Sequence, residues 1–313
     1  MPQTFQSSTL GALFALVTAF MWGVLPIFLK LLLVDSDAYT ITAVRFIFAG
    51  AVVLSIVLFN AKLPRLKGHG WSIWSLLLLG TVFLLINYVT NVLALEYISP
   101  STVQLVMQLA PFLLIVGGIA LYNESLSRPQ LAGAIILFTG MAFFFNQRIP
   151  VIISSETERI EGVFIVVVSA TAWAVYALTQ KRLFSAFTSQ QLTLFIYLLG
   201  GLILFPFSDL DSLFTFNSVQ WFALLFCCVN TLVAYGAFTH AMQIWDASKV
   251  SAIISISPVF TYLSNKMAVA LAPELFYEEQ LNWAAYLGAF FIIGGAMLAA
   301  LGKQSTRNST ADK

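Results

Sequence analysis

Apolar residues run along this chain in long blocks, and polar residues mark the gaps between them. Ten blocks meet or approach the roughly 20 residues a helix needs to cross a bilayer core. They are 10–33, 39–59, 71–95, 100–121, 129–146, 162–183, 188–207, 219–244, 248–271 and 282–301. The connecting segments are mostly short and polar, and apart from the tail GKQSTRNSTADK none is of low complexity. None has the length of a separate soluble domain. The pattern predicts an all-α integral membrane protein with ten transmembrane helices. The opening MPQTFQSST lacks a basic n-region, and the apolar run after it is long enough to span, so it does not read as a cleavable signal.

Composition agrees. The 313 residues are 59% hydrophobic and only 9% charged, with 28 Phe, and the mean hydropathy is +0.89. A water-soluble domain carries about 25% charged residues, so this chain needs lipid around it. The net charge of +1 points to no nucleic acid or acidic partner. The two cysteines, Cys227 and Cys228, are neighbours in an apolar run and point different ways on a helix, so they read as small buried side chains without a disulfide.

The distribution of charge sets the orientation. With the N-terminus in the cytoplasm, Lys62, Arg65, Lys67, Arg128, Lys181, Arg182, Lys249, Lys303, Arg307 and Lys313 lie inside, and only Arg148 and Arg159 lie outside. Basic residues stay on the cytoplasmic side of short loops. Both termini are therefore predicted cytoplasmic, in a multi-pass protein of the cell (inner) membrane.

The stretch ALEYISPSTVQLVMQLAPF from Ala94 has a counterpart, AMQIWDASKVSAIISISPVF from Ala241. A shift of 147 aligns Ala94 with Ala241, Ser101 with Ser248, Val103 with Val250 and Pro111 with Pro258. In the same order, AFMWGV (19–24) matches ATAWAV (170–175), GAIILFTGMA (133–142) matches GAFFIIGGAM (288–297), and Glu124 meets Glu279. Each half is a five-helix unit: residues 1–147 and 162–302, joined by an outer linker at 148–161 and followed by a cytoplasmic tail at 303–313. Five is odd, so the second unit inserts upside down relative to the first. Inverted repeats with interrupted helices are the pattern of secondary transporters.

These segments resemble the drug/metabolite transporter superfamily, EamA type. The resemblance rests on AFMWG in the first span, AVRF (43–46) opening the second, and ALEYISPSTVQLVMQLAPF across the third and fourth. NESLSRPQLAGAIILFTGM leads into the fifth, and ALTQKR (177–182), AMQIWDASKVSAIISISPVF and GAFFIIGGAM carry it through the second half. It covers nearly the whole chain, through loose motifs in a fixed order. Gln104, Gln108 and Lys266 depart from the family pattern and leave the substrate open. Members mostly export small metabolites, often amino acids, and some import vitamins or other solutes. The resemblance implies a path between the halves, lined by spans 1, 3, 4, 6, 8 and 9.

Polar side chains inside spans face the bundle interior or a water-filled space. Asn87 and Asn91 share one face of the third span, and Gln104 and Gln108 share one face of the fourth. Asn230 and His240 lie on the eighth, and Ser251, Ser255 and Ser257 on the ninth. Trp22, Trp173, Tyr88 and Tyr176 offer flat faces to a planar or cationic solute. The competing reading for each is helix-to-helix stitching or core packing. The candidate substrate-binding set is Trp22, Asn87, Tyr88, Asn91, Gln104, Gln108, Trp173, Tyr176, Asn230 and Ser255. Pro111 and Pro258 loosen the carbonyls of Met107 and Ile254 and are candidate hinges, with a plain packing kink as the rival. Arg45 is expected to pair with Asp35 or Asp37 or to snorkel, and Lys30 to snorkel. Glu96, His240 and Lys266 are candidate coupling residues, with a Glu96–Lys266 pair as a possible gate.

The function this supports is a secondary carrier, exporting a small polar or amino-acid-like metabolite by alternating access, as a monomer or homodimer. Alternatives are an importer of a vitamin or other metabolite, a lipid-modifying membrane enzyme, and a passive channel. Two histidines, His69 and His240, make no metal site, and no phosphate-binding Gly-rich loop or nucleophile elbow occurs, so neither metal nor cofactor is expected. Glu124 and Asp246, the remaining candidates for acid chemistry, are isolated at the inner surface.

Overall fold

The computed structural model describes residues 2–59, 70–122, 124, 126–147, 149–150, 153, 159–276 and 281–301. The basic residues of the 60–69 loop, most of the 148–161 linker, Glu279 and the 303–313 tail lie outside these. Among the described residues there are twelve α-helices, two short 3₁₀ turns and no strand. The helices are α1 (Pro2–Leu32), α2 (Ala38–Phe59), α3 (Trp71–Ala94), α4 (Pro100–Met107), α5 (Leu109–Tyr122) and α6 (Arg128–Phe144). They continue with α7 (Ile160–Leu183), α8 (Ser189–Leu204), α9 (Ser218–Ile244), α10 (Ala247–Ile254), α11 (Ser257–Leu271) and α12 (Trp283–Leu301).

Eight stretches are long and apolar enough to cross a membrane, α4 and α5 forming one of them. The pattern of the sequence predicts ten. The fifth block appears as α6, with 17 residues. The ninth is split into α10, with 8 residues, and α11, with 15. The split falls at Ser255–Ile256, just before Pro258, which has no N–H to continue the ladder. Ser257 covers the carbonyl this frees by donating its hydroxyl to Ile254 O at 2.5 Å. The α4–α5 break at Gln108 has the same origin in Pro111.

Side-chain caps fix the helix starts. Asp37 Oδ1 accepts from Tyr39 and Thr40 N–H to open α2, and Ser99 accepts from Thr102 N–H to open α4. Before α6, α8 and α9, a glutamine three residues in reaches back to the N–H of Ser127, Thr188 and Asn217.

The helices pair antiparallel across the two halves of the chain. In the α1–α9 pair, Phe14 meets His240 and Phe28 stacks on Phe226. In α3–α7, Asn87 meets Ser169 and Gly162 lies against Ile98. In α2–α8, Gly50 lies against Tyr197 and Gly201 against Ile47. The tightest approach is α6 on α12, where glycines face backbone. A Cβ on Gly133 would sit 2.7 Å from Gly295 O, and one on Gly288 would sit 2.6 Å from Gly140 O. Small residues let helices approach this closely where lipid supplies no hydrophobic drive. The outward faces are apolar: Leu202 is 72% exposed, Phe290 70% and Phe164 67%, as a surface facing acyl chains requires.

Candidate functional site

Pro26 lies inside α1, in the wall of a cavity in the bundle. Without an N–H it leaves the Trp22 carbonyl unserved, and Gln104 Nε2 donates to that carbonyl at 3.1 Å. The carbonyls on either side are taken as well. Asn230 Nδ2 donates to Met21 O at 2.5 Å and Thr261 Oγ1 to Gly23 O at 2.7 Å. Side chains from α9, α4 and α11 thus donate to three successive carbonyls of α1. Gln108 Nε2 donates to Gln104 O at 3.2 Å.

Beside these carbonyls lies a cavity in which about 80 Å³ is open to the centres of water-sized molecules. One water needs roughly 10–15 Å³ by that measure, so the space holds several waters or a small solute. Its walls come from both halves: Trp22, Leu25 and Pro26 of α1, Arg45 of α2, Asn87, Tyr88, Asn91 and Val92 of α3, and Gln104, Met107, Gln108, Ala110 and Pro111 of the broken α4–α5. Trp173 of α7, Tyr235 of α9, Ile254 and Ser257 complete it. The aromatic rings form one array. Trp22 and Trp173 meet edge-on with centroids 5.5 Å apart, and Tyr235 lies 4.9 Å from Trp22 and 5.0 Å from Tyr88.

Of the residues singled out in the sequence, Trp22, Asn87, Tyr88, Asn91, Gln104, Gln108, Trp173 and Pro111 line this cavity. Asn87 and Gln104 also tie helices together: Asn87 Nδ2 donates to Ser169 Oγ at 2.9 Å, and its Oδ1 accepts from Tyr235 at 3.3 Å. Gln108 Oε1, Tyr88 OH and both indole N–H groups, Trp22 and Trp173, have no hydrogen-bond partner among the described residues. Asn91 is half-buried.

Other candidates are elsewhere. Asn230 spends its amide on α1. Tyr176 is buried behind Tyr235, with ring centroids 6.3 Å apart. Ser255 donates to Ser251 O at 2.9 Å and faces a smaller separate hollow. Pro258 starts α11 without reaching the cavity wall. His240 packs on Phe14, with Nδ1 3.5 Å from Ser189 Oγ. Glu96 and Lys266 are both exposed, and no ion pair joins them, so the two-residue gate is not formed.

The expected pairing of Arg45 is overturned. Its side chain is 1% exposed and lines the cavity instead of snorkelling. Asp37 caps α2 and Asp35 Oδ2 accepts from Gln220 at 2.6 Å. Eight residues of helix separate Asp37 from Arg45, about 12 Å of rise. Arg45 Nε donates to Thr231 Oγ1 at 2.9 Å, and its guanidinium lies 4.6 Å from the Tyr88 ring centroid. The sequence reading missed Arg45 and Tyr235 as cavity residues. The second span carries no repeated polar face to show that Arg45 turns inward, and Tyr235 stands among apolar neighbours in the eighth.

A second polar cluster lies apart from the cavity. Glu124 pairs with Lys181 and accepts from the N–H groups of Ala247 at 3.1 Å and Ser248 at 3.3 Å. Its carboxylate oxygens cap α10 and neutralise a cation. Glu96, at the end of α3, has its carboxyl pushed up by partial burial and then by the charge of Asp37.

A multi-pass helical bundle around a polar-and-aromatic hollow defines a class of protein: a membrane transporter. The chain belongs to the EamA-like transporter family, whose profile matches residues 9–146 and 160–301. It is 34% identical over 297 residues to an uncharacterized transporter of Haemophilus influenzae, covering 95% of this chain and 96% of that one. It is 35% identical over 298 residues to the uncharacterized inner membrane transporter YhbE of Escherichia coli, covering 95% and 93%. A solved crystal structure shares the fold, with a TM-score of 0.67, 19% identity and coverage of 93% of this chain and 98% of that one.

Proposed function

We propose that the protein is a secondary carrier of the cell membrane that exports a small polar, amino-acid-like metabolite by alternating access, with both termini in the cytoplasm. The observation that carries this reading is the cavity. It is walled by helices of both sequence halves, lies against the α4–α5 break at Gln108, and has Ile254 and Ser257 beside the α10–α11 break in its wall. Its lining also holds polar atoms without partners.

Two units of opposite orientation support the exchange of inward and outward openings. Contacts between α6 and α12 are reciprocal: Gly133 against Gly295 mirrors Gly288 against Gly140, and Gly140 against Ile292 mirrors Gly295 against Leu137. The α1–α9 and α3–α7 pairs are likewise counterparts if the halves are related by a two-fold axis in the membrane plane. The two separate matches to the family profile support the same division. Rocking would bend α4–α5 and α10–α11 at their breaks, with Pro111 and Pro258 beside the joints. The outward direction follows the habit of the family that the sequence resembles.

The test compares metabolites inside and outside cells that lack the protein, overproduce it, or overproduce Gln108→Leu. Wild-type overproduction should move a small polar metabolite into the medium, and Gln108→Leu, made at equal abundance in the membrane, should not. No difference between lacking and overproducing cells would overturn the carrier reading.

A further inference from the structure

The geometry points to an organic carboxylate as the cargo, with its anionic group held by Arg45. This rests on the carrier reading above and adds the charge class of the substrate. An arginine inside a membrane bundle is costly and is retained where it meets an anion, water or carbonyls. Arg45 is 1% exposed and lines the central cavity. No Asp or Glu is among the cavity residues, and Arg45 makes no ion pair among the described residues. Both nearby candidates on the chain, Asp35 and Asp37, are engaged by Gln220 and by the start of α2.

The guanidinium is also aimed. Its Nε is anchored to Thr231 Oγ1 at 2.9 Å, and Tyr88 covers it with the ring centroid 4.6 Å away. Nε accounts for one of five donors, and the terminal nitrogens keep the planar fork that fits a carboxylate in bidentate fashion. The orphaned buried groups in the same wall are mostly donors: the Trp22 and Trp173 indole N–H groups and the Tyr88 hydroxyl. An acceptor-rich ligand satisfies such donors. Gln108 Oε1 is the orphaned acceptor and suits an N–H or O–H elsewhere on the same solute.

One cation in an aromatic enclosure of this size suits a monoanion or a zwitterion. A net cation is disfavoured by Arg45, and a phosphate dianion lacks a second positive partner among the cavity residues.

The experiment measures thermal unfolding of the purified full-length protein against concentration series of matched pairs: isovalerate with isovaleramide, and L-leucine with L-leucinamide. Inorganic phosphate serves as a third probe. Losing a hydrogen bond to a charged group weakens binding roughly 10- to 100-fold, so each acid should bind that much more tightly than its amide. Arg45→Gln should bring the ratio close to one, and Arg45→Lys should keep part of it. If Arg45→Gln does not fold, the wild-type and Arg45→Lys ratios decide. The proposal is overturned if no acid binds, if acids and amides bind alike, if phosphate binds as well as the acids, or if the preference survives Arg45→Gln. A flux arm separates this from the carrier reading. Proteoliposomes that bind the acid but do not move it would sink the carrier reading and leave the anion site standing. Flux of acid and amide alike, unchanged in Arg45→Gln, would do the reverse.

Discussion

Two adjacent glycines on α12 allow a sharp test of the packing. A Cβ added at Gly295 meets three backbone atoms of α6: Leu137 N at 2.5 Å, Gly133 O at 2.7 Å and Leu137 Cα at 2.9 Å. Backbone cannot rotate aside, so the helices would have to separate by roughly an ångström along their contact. Overpacking of this kind costs typically about 1–3 kcal/mol. Replacing Gly by Ala in a helix returns about 1 kcal/mol of intrinsic propensity, which leaves Gly295→Ala a net loss of up to about 2 kcal/mol. Gly294, one residue earlier, has nothing within 4 Å of its built Cβ. Gly294→Ala should therefore be neutral or gain up to about 1 kcal/mol. The assay is equilibrium unfolding of each variant in one detergent–lipid mixture. Gly133 shares its contact with Gly295, so the double variant Gly133→Ala/Gly295→Ala should cost less than the sum of the singles. Equal effects at 294 and 295, or strict additivity of the 133–295 pair, would refute this packing.

Four further outcomes follow from the site. Gln104→Leu leaves the Trp22 carbonyl orphaned and should cost about 1–3 kcal/mol of stability. Adding Pro26→Ala restores an N–H to that carbonyl and should recover most of the loss in the same unfolding assay. Glu124→Ala uncaps α10 and strands Lys181, for a loss of about 2–4 kcal/mol. Glu124→Ala/Lys181→Ala should be more stable than the sum of the single changes, and strict additivity would contradict the shared ion pair. The raised carboxyl of Glu96 contributes stability that is fully present below its unfolded range and is lost as pH rises through the folded value. Unfolding midpoints should fall slightly with rising pH across that acidic window, and Glu96→Gln should flatten the slope. Glu96, His240 and Lys266 are absent from the cavity wall, so Glu96→Gln, His240→Gln and Lys266→Gln should each leave transport near wild-type in vesicle flux assays.

Much of the architecture is legible in the chain because its signals are periodic. Apolar blocks mark most of the spans. The structure divides the ninth block because Pro258 interrupts its ladder, which a count of apolar residues does not register. The site is partly legible for a related reason. Amides in greasy helices must face inward, and Asn87, Asn91, Gln104 and Gln108 do. Their division of labour is not legible, because it depends on which carbonyls a distant proline has freed. Pro26 turns Gln104 into a strap on α1, a relation across 82 residues. Arg45 was misplaced for want of a polar stripe on α2 to show its inner face, and the exposed positions of Glu96 and Lys266 depend on packing that spacing does not encode.

The central claim is a hollow reached alternately from the two sides of the membrane. It is tested most directly by Asn91→Cys in a Cys227→Ala/Cys228→Ala background, probed with a membrane-impermeant thiol reagent in right-side-out and inside-out vesicles. Asn91 is half-buried in the cavity wall, and the two native thiols are buried. The account predicts labelling from either side, slowed on both by a transported solute. Labelling from one side only, or from neither, would contradict it.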